Sequence, residues 1–488
     1  MLLENTLKII EKLTCLYTSS LQKCEFLMLY QYKSRSKTYN FSSLQSDSDE
    51  NIFSILVGKN GTGKSRLFKA IIHNLLNNDL FYHSSSNHLL PFKNFSNERL
   101  HLDLIPKKII AVSTSPFDKF PIPNRTKQSD FLPVNYSYLG LRGLGGAEIG
   151  ESYMANVIAS LMTTVSEQPH KYDSISEILH YLGYTDRFDM VFSMQLSKSR
   201  LTRIIEDPFP ERALEEYLRS YAGRIIDRSY FYDELNHLDI DKMYKLIRCI
   251  VENQEILRSK FRMSLSNRGI HVDNFGFLSD IFNGDILFLI KAGIVRLKQV
   301  NLEKLDTGKL VRFSEASSGE QAVVMSILGI ASRIEDDSMI FIDEPEICLH
   351  PEWQEKYISL LISTFRIYKR CHFLIATHSP QIVSNLENHN CFVTSMDDGL
   401  AVSGFDVANK SIDFQLATTF KSPGHKNEYL SREILTLLTK FGQGEKITLQ
   451  EIDLANDILE LRETLDDDDP VKRLISMLQD VLSVVEHD

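Results

Sequence analysis

Two groups of residues have the types and spacing to do chemistry: a glycine-rich turn closed by a lysine and a serine, and a pair of adjacent carboxylates at the end of an apolar run. The turn is Gly58-Lys59-Asn60-Gly61-Thr62-Gly63-Lys64-Ser65, and it lies between an apolar stretch at 52–57 and an amphipathic one carrying Leu67, Ala70, Ile71 and Leu75. Such a turn leaves successive backbone N–H groups free to point at phosphates, and a helix that follows aims the positive end of its dipole at the same place. Asn60, Gly61, Thr62 and Gly63 then form the cradle, with Arg66 in the first helical turn. Lys64 holds the β- and γ-phosphates, and Ser65 supplies an oxygen to Mg²⁺. The carboxylates are Asp343 and Glu344, delivered by the apolar residues 339–342. Asp343 is expected to bind Mg²⁺ through its water shell, and Glu344 to orient or deprotonate an attacking water. ATP and Mg²⁺ are the ligands this chemistry needs.

Two further elements fall at telling distances. Ser314-Glu315-Ala316-Ser317-Ser318-Gly319-Glu320-Gln321 precedes a good helix at 322–334, with Ser318 lying 343 − 318 = 25 residues before Asp343. Alone, a Ser-Ser-Gly run is an ordinary helix cap. His378, in Thr377-His378-Ser379-Pro380, follows an apolar strand at 373–376 and lies 378 − 343 = 35 residues past Asp343. A histidine at a strand end of an open α/β sheet points into the ligand crevice.

In this order the four motifs resemble those of ABC-type ATPases, over roughly residues 25–140 and 290–400. The resemblance implies that Ser318, Gly319 and Glu320 belong to a signature loop that reaches across a dimer interface to the γ-phosphate held by the other subunit. It also implies that His378 is a switch histidine. Glu346-Ile347-Cys348-Leu349-His350-Pro351 is similar to the D-loop of SMC-, RecF- and OLD-type ATPases, whose heads act on or with nucleic acid. Ser318 follows Lys64 at a separation of 318 − 64 = 254 residues, more than a transporter ATPase carries, so a transport subunit is the weaker reading. An OLD-type nuclease domain would have to fit in the 488 − 378 = 110 residues after His378. The acidic run Asp466 to Asp469 follows a helical pattern at 453–465 and reads as a solvated cap and linker, so cleavage is expected in another polypeptide.

One position departs from the ABC pattern. The glutamine usual after the second strand is replaced by Ser113-Thr114-Ser115-Pro116-Phe117-Asp118; either Ser115 or Asp118 substitutes, or coupling runs differently. That stretch, together with Tyr136-Ser137-Tyr138-Leu139-Gly140-Leu141-Arg142-Gly143, resembles the ATPase component of Septu-type anti-phage defence systems. This resemblance implies an oligomeric regulator with an HNH-type nuclease subunit as partner, and nucleic acid contacted directly or through that nuclease. The alternative is a stand-alone DNA-repair ATPase of SMC or RecF kind.

The elements that must position these residues follow from pattern. The fold class expected is α/β: an ABC-type P-loop ATPase head with a mixed, largely parallel sheet and an antiparallel N-terminal subdomain. The head spans 1–145 and 286–410, interrupted by a helical insertion at 146–285 and followed by an acidic helical region at 411–488. Helical stretches are read at 3–13, 153–165, 212–221 and 242–261. Strands are read at 25–30, 37–41, 108–113, 286–290 and 294–300, with a hairpin at 391–394 and 400–402. At the C-terminus Asp469-Pro470 starts a helix whose apolar stripe of Val471, Leu474, Leu478, Val481 and Val485 either docks a partner or another copy, or packs on its own head.

With 488 residues and 43% hydrophobic content, the chain has material for two or three structural units, and no run of about 18–20 apolar residues suggests a membrane span. Six scattered cysteines without a CxxC pair argue against a zinc site, and with no leader pattern at the N-terminus a cytoplasmic location is expected. Net charge is −11, and 451–488 holds 12 acidic and 3 basic residues, so −9 of it sits there. Lys198, Arg200, Arg203, Arg258, Lys260 and Arg262 in the insertion form either a nucleic-acid stripe or solvated faces.

Overall fold

The computed structural model describes residues 29–42, 49–76, 99–122, 135–142, 154–165, 171–194, 203–219, 239–252, 260–291, 294–386 and 390–485, apart from positions 103, 116, 141, 155–156, 159, 164, 205, 274–275, 278–279, 348 and 446. The helix expected at 3–13, the first part of the strand at 25–30, and Lys198, Arg200, Arg258 and Gly143 lie outside them.

Three sheets organise the described residues. Strands β1 (Gln31–Lys33), β2 (Thr38–Asn40) and β4 (Arg99–His101) pair antiparallel. The second sheet comprises β3 (Ile52–Val57), β5 (Lys108–Ser113), β6 (Tyr136–Gly140), β13 (Ser338–Asp343), β14 (His372–Thr377), β15 (Cys391–Ser395) and β16 (Ala401–Ser403), in the order β16-β15-β3-β14-β13-β5-β6. Here β14 and β15 run parallel to β3, and β16 closes the edge antiparallel to β15. Every residue of β3, β13 and β14 is buried, which is why these strands read as unbroken apolar runs rather than alternating ones. The third sheet, antiparallel throughout, has β7 (Tyr184–Met194), β8 (Phe261–Ser266), β9 (Gly269–Val272), β10 (Gly276–Phe277), β11 (Val295–Lys304) and β12 (Leu310–Arg312), in the order β10-β9-β8-β7-β11-β12.

That third sheet changes the picture of the insertion. Helices α2 (Lys171–Tyr181), α3 (Pro210–Arg219) and α4 (Ile240–Glu252) are present, but the stretch also contributes β7 to β10 to the sheet. Tyr184, Phe188, Met190 and Phe192 are buried along β7, and Phe261, Met263 and Leu265 along β8, at the two-residue period of a strand with one covered face. The sheet also crosses the boundary expected at 285/286. The strand expected at 286–290 is instead the C-terminal half of helix α5 (Asp280–Lys291), because a five-residue apolar run fits either element and its flanks decide.

Contacts divide the chain into two compact units: residues 1–109, 335–341 and 368–488, and residues 110–334 and 342–367. In the first, helix α1 (Lys64–Leu76) sets Phe68 edge-on to Phe341 at 5.3 Å, and Phe53 stacks on Phe373 at 4.8 Å. In the second, helices α6 (Ser318–Ala331) and α7 (Pro351–Phe365) carry the apolar faces. The first unit also holds α8 (Glu428–Gly442), α9 (Leu449–Glu460) and α10 (Pro470–Val485). Val471, Ile475 and Leu478 bury against Leu430, Ile434, Ala455 and Ile458, so the C-terminal stripe packs on its own chain. Asp469 starts α10 by accepting the Val471 N–H at 2.8 Å. Its neighbours Asp466 and Asp468 lie exposed beside His425 at a helix N-terminus, where the dipole favours acids.

Candidate nucleotide site

In the first unit, β3 ends at Val57 and α1 begins at Lys64, and the six residues between them make the turn. Gly61 and Gly63 have φ of +81° and +100°, in the left-handed region where a side chain is strained. Gly58 is required for space instead, since a Cβ there would meet Met396 Cβ at 2.9 Å. Thr62 draws the turn tight by donating its N–H and hydroxyl to the Lys59 carbonyl, at 3.3 and 2.9 Å. Lys64 is buried, and its Nζ donates to the carbonyls of Gly58 at 2.8 Å and Lys59 at 3.2 Å. Ser65 is half-buried, while Asn60, Gly61 and Arg66 are exposed. No acidic residue sits in the first turn of α1 to offset its positive end. A buried ammonium, a helix N-terminus and a glycine turn meet within eight residues, and that set of donors fits a polyphosphate.

Register brings His378 to the same end. Thr377 is the cross-strand partner of Val57, so the turn and His378 leave adjacent parallel strands at the same level, about 4.8 Å apart. His378 is half-buried, and Ser379 N–H donates to Thr377 Oγ1 at 3.0 Å, which shapes the exit from β14.

The second unit holds the carboxylates and the signature loop. Asp343 is buried at the end of β13, and Ser113 at the end of β5 donates its hydroxyl to the Asp343 carbonyl at 3.5 Å. Glu344 is half-buried with φ of +51°, although it is neither glycine nor asparagine and precedes Pro345. Holding a residue there costs about 1–3 kcal/mol, and such strain concentrates where a side chain must be aimed. Of the two signature serines, Ser317 is the cap. Its Oγ accepts the Glu320 N–H at 3.2 Å, and Glu320 Oε2 accepts the Ser317 N–H at 3.0 Å, a complete capping box. Ser318 is thereby released as the first helical residue, with its side chain exposed and Gly319 buried behind it. Glu320 faces inward: Oε1 accepts from Lys304 Nζ at 3.0 Å and from Tyr184 Oη at 3.3 Å. Burial raises the Glu320 carboxyl, but the Ser317 N–H, Lys304 and the Ser317 hydroxyl outweigh it and hold the group below its ordinary pKa.

The replaced glutamine has a definite local structure. Ser115 donates its N–H to Ser113 Oγ at 3.1 Å and accepts the Phe117 N–H at 3.2 Å. Asp118 is buried, and its oxygens take the Tyr138 hydroxyl at 2.7 Å, the Phe120 N–H at 3.0 Å and Arg142 Nη2 at 3.1 Å. Burial first, then Asp118, pushes the Tyr138 hydroxyl pKa up, so it stays a donor. Gly140 leaves room for the Tyr138 ring, since a Cβ there would lie 2.2 Å from the Tyr138 hydroxyl and force the ring to shift. The stretches 113–118 and 136–142 are therefore one bonded piece. Tyr184 and Lys304 are residues near these motifs that sequence reading missed; Tyr184 lies 136 residues from Glu320 and Lys304 lies 16, and no local signal marks either. Of the basic residues in the insertion, Arg203, Lys260 and Arg262 are described and exposed.

A mixed, largely parallel sheet with a phosphate-type loop between β3 and α1 and paired acids at the end of β13 is a P-loop ATPase fold. A family model and one relative agree on that class. Residues 176–384 match a family model described as "AAA domain, putative AbiEii toxin, Type IV TA system". A retron Ec83 probable ATPase of Escherichia coli is 30% identical over 90 residues, a stretch covering 16% of this chain and 16% of that protein. Looser likenesses join the chain to the Smc head domain with an extended coiled coil bound to the C-terminal domain of ScpA, derived from Pyrococcus furiosus (12% identity, 78% of this chain and 97% of that one, TM-score 0.29). A SmcHead bound to the C-winged helix domain of ScpA gives 13% identity over 78% and 98% of the chains, with a TM-score of 0.26. Scores this low carry no argument. Among the described residues no helix is long and apolar enough to cross a membrane.

Proposed function

We propose that this chain binds and hydrolyses ATP with Mg²⁺ as an ABC-type head that closes against a second copy, and that it regulates a separate HNH-type nuclease in anti-phage defence. The observation that carries the dimer is the division of labour at α6: Ser317 caps the helix, so Ser318 stands exposed at a helix N-terminus with no structural duty of its own. An exposed serine on such a terminus is a donor set for an anion brought by another molecule. Asn60 to Arg66 bind the nucleotide, Lys64 its β- and γ-phosphates, and Ser65 and Asp343 the metal. Mg²⁺ supplies charge neutralisation on the phosphates when bound. Glu344 takes the proton of the attacking water or orients it, and His378 reports on the γ-phosphate at the strand ends. The Septu-like stretches motivate the nuclease partner and the nucleic acid it cuts.

The test is nucleotide binding and sedimentation of three proteins. Lys64→Ala is expected to lose ATP binding, whereas Glu344→Gln binds ATP and accumulates as a closed dimer. Normal turnover by Glu344→Gln would remove the role given to that carboxylate. Purification from cells carrying the neighbouring reading frame tests the partner, and a protein that acts alone would refute it. The second reading, a stand-alone DNA-acting ATPase, rests on the exposed Lys260 and Arg262 and requires DNA-stimulated hydrolysis that is lost when both are neutralised.

A further inference from the structure

Glu320 spends one oxygen on the capping box and the other on the six-stranded sheet. Oε2 accepts the N–H and hydroxyl of Ser317, both at 3.0 Å. Oε1 accepts from Lys304, the last residue of β11, and from Tyr184, the first residue of β7. Lys304 and Tyr184 are cross-strand partners, and the Lys304 ammonium also lies 4.5 Å from the centre of the Tyr184 ring. Both reach the carboxylate because the register of β7 on β11 sets them side by side.

The chain path adds a second anchor. β11 turns at Gly308, with φ of +63°, into β12, and the short helix Phe313–Glu315 follows with Phe313 buried. Lys304 N–H donates to the Lys309 carbonyl at 3.0 Å, which closes the hairpin. The loop bearing Ser317 and Ser318 is thus fixed to the sheet at its entrance by the hairpin and at its exit by Glu320.

We infer that Lys304, supported by Tyr184, is a positioning residue through which the six-stranded sheet sets the placement of Ser318, and so sets the rate at which the facing subunit's ATP is hydrolysed. Lys304 touches no nucleotide; it acts through Glu320. Whatever shifts β7 against β11 moves the pair that holds Glu320, which makes the inserted sheet a control element for hydrolysis. The inference rests on the dimer proposed above, in which the signature loop serves the other copy's site.

Complementation between mutant subunits tests it. Lys304→Met is expected to bind ATP as tightly as the wild type, since its own glycine turn is untouched, while kcat falls by about tenfold or more, the scale of displacing a group that must be held in place. Intact ATP binding certifies that the variant folds. Lys304→Arg, which keeps the charge, recovers most of the rate, and Tyr184→Phe loses less than Lys304→Met. Mixed one to one with Lys64→Ala, Lys304→Met forms mixed dimers in which its sound glycine turn faces a sound signature loop. Half of the dimers are mixed and each has one sound site of two, so about a quarter of the wild-type rate returns. Wild-type turnover by Lys304→Met, or a slow Lys304→Met that Lys64→Ala does not rescue, overturns the inference. Ser318→Arg mixed with Lys64→Ala separates the two failures. If that pair regains activity and the Lys304→Met pair does not, only the role of Lys304 falls; if neither does, the facing-subunit reading falls with it.

Discussion

Acid should loosen the strand pair that carries the glycine turn and His378, and one buried imidazole sets by how much. His372 opens β14 with no solvent exposure. Its Nδ1 accepts the Leu29 N–H at 3.3 Å, so the ring proton belongs on Nε2, which lies 2.7 Å from Ser54 Oγ. Ser54 in turn donates to the Phe41 carbonyl, leaving its oxygen to accept from the ring. A second proton on Nδ1 would point at the Leu29 N–H. Burial accordingly pushes the His372 pKa down to about 3 from 6.5. The unfolded chain takes up this proton near pH 6.5 and the folded chain only near pH 3, so between those values the unfolded state binds more protons and stability falls as pH falls. The contribution is complete above about pH 6.5. At pH 5.0, about 1.5 pH units lower, it has lost about 2 kcal/mol at 1.36 kcal/mol per unit. Denaturant unfolding of wild type and His372→Gln, each at pH 7.5 and 5.0, isolates the effect from the other histidines by difference. Wild type should lose about 2 kcal/mol more than the variant across that window. Equal pH dependence in both proteins would refute the assignment of a neutral, donor-locked ring.

Gly140→Ala should cost about 1–3 kcal/mol, because displacing the Tyr138 ring strips Asp118 of a buried hydrogen bond, and Tyr138→Phe should cost less since nothing is forced to move; paired denaturation curves give the ranking. Ile475→Ala, at a fully buried site between α8 and α10, should cost about 2–5 kcal/mol, read as faster amide exchange throughout these helices.

The central strands of the second sheet were legible because burial on both faces leaves a continuous apolar run: 52–57 and 108–113 match β3 and β5 residue for residue, whereas β6 was not read as a strand. The hairpin of β15 and β16 was legible from Asp398-Gly399, where Gly399 takes φ of +76° and a Cβ would collide with the Thr38 carbonyl at 2.1 Å. The glycine turn was legible because the left-handed φ of Gly61 and Gly63 restricts residue type in the same way that close approach to a phosphate would. β7 was not, since its alternation is diluted by Thr185, Asp186 and Arg187; β8 alternates cleanly but over six residues only, and the two pair about 70 residues apart along the chain, where no local window reaches. For the same reason a residue such as Lys304, whose meaning depends on cross-strand register, leaves no mark in the sequence.

The replaced glutamine shows how far a motif can be carried without its chemistry. Asp118 stands where a nucleotide-sensing side chain was expected, yet its carboxylate is enclosed by Tyr138, Phe120 and Arg142. To contact a metal or phosphate it would have to give up the Tyr138 hydroxyl and the partly exposed Arg142 guanidinium, and leaving a buried polar group without its partner costs about 1–3 kcal/mol. Ser113 and Ser115 are placed differently: Ser113 touches the carbonyl of Asp343, and Ser115 hangs on Ser113. Of the two candidates read from the sequence, Ser115 is therefore the one joined to Asp343, through backbone and hydroxyl groups rather than a long amide. Such a link holds position but has no reach. On the function proposed above, motion reaches the insertion by another route, and the clasp of Glu320 by Lys304 and Tyr184 is the one we infer.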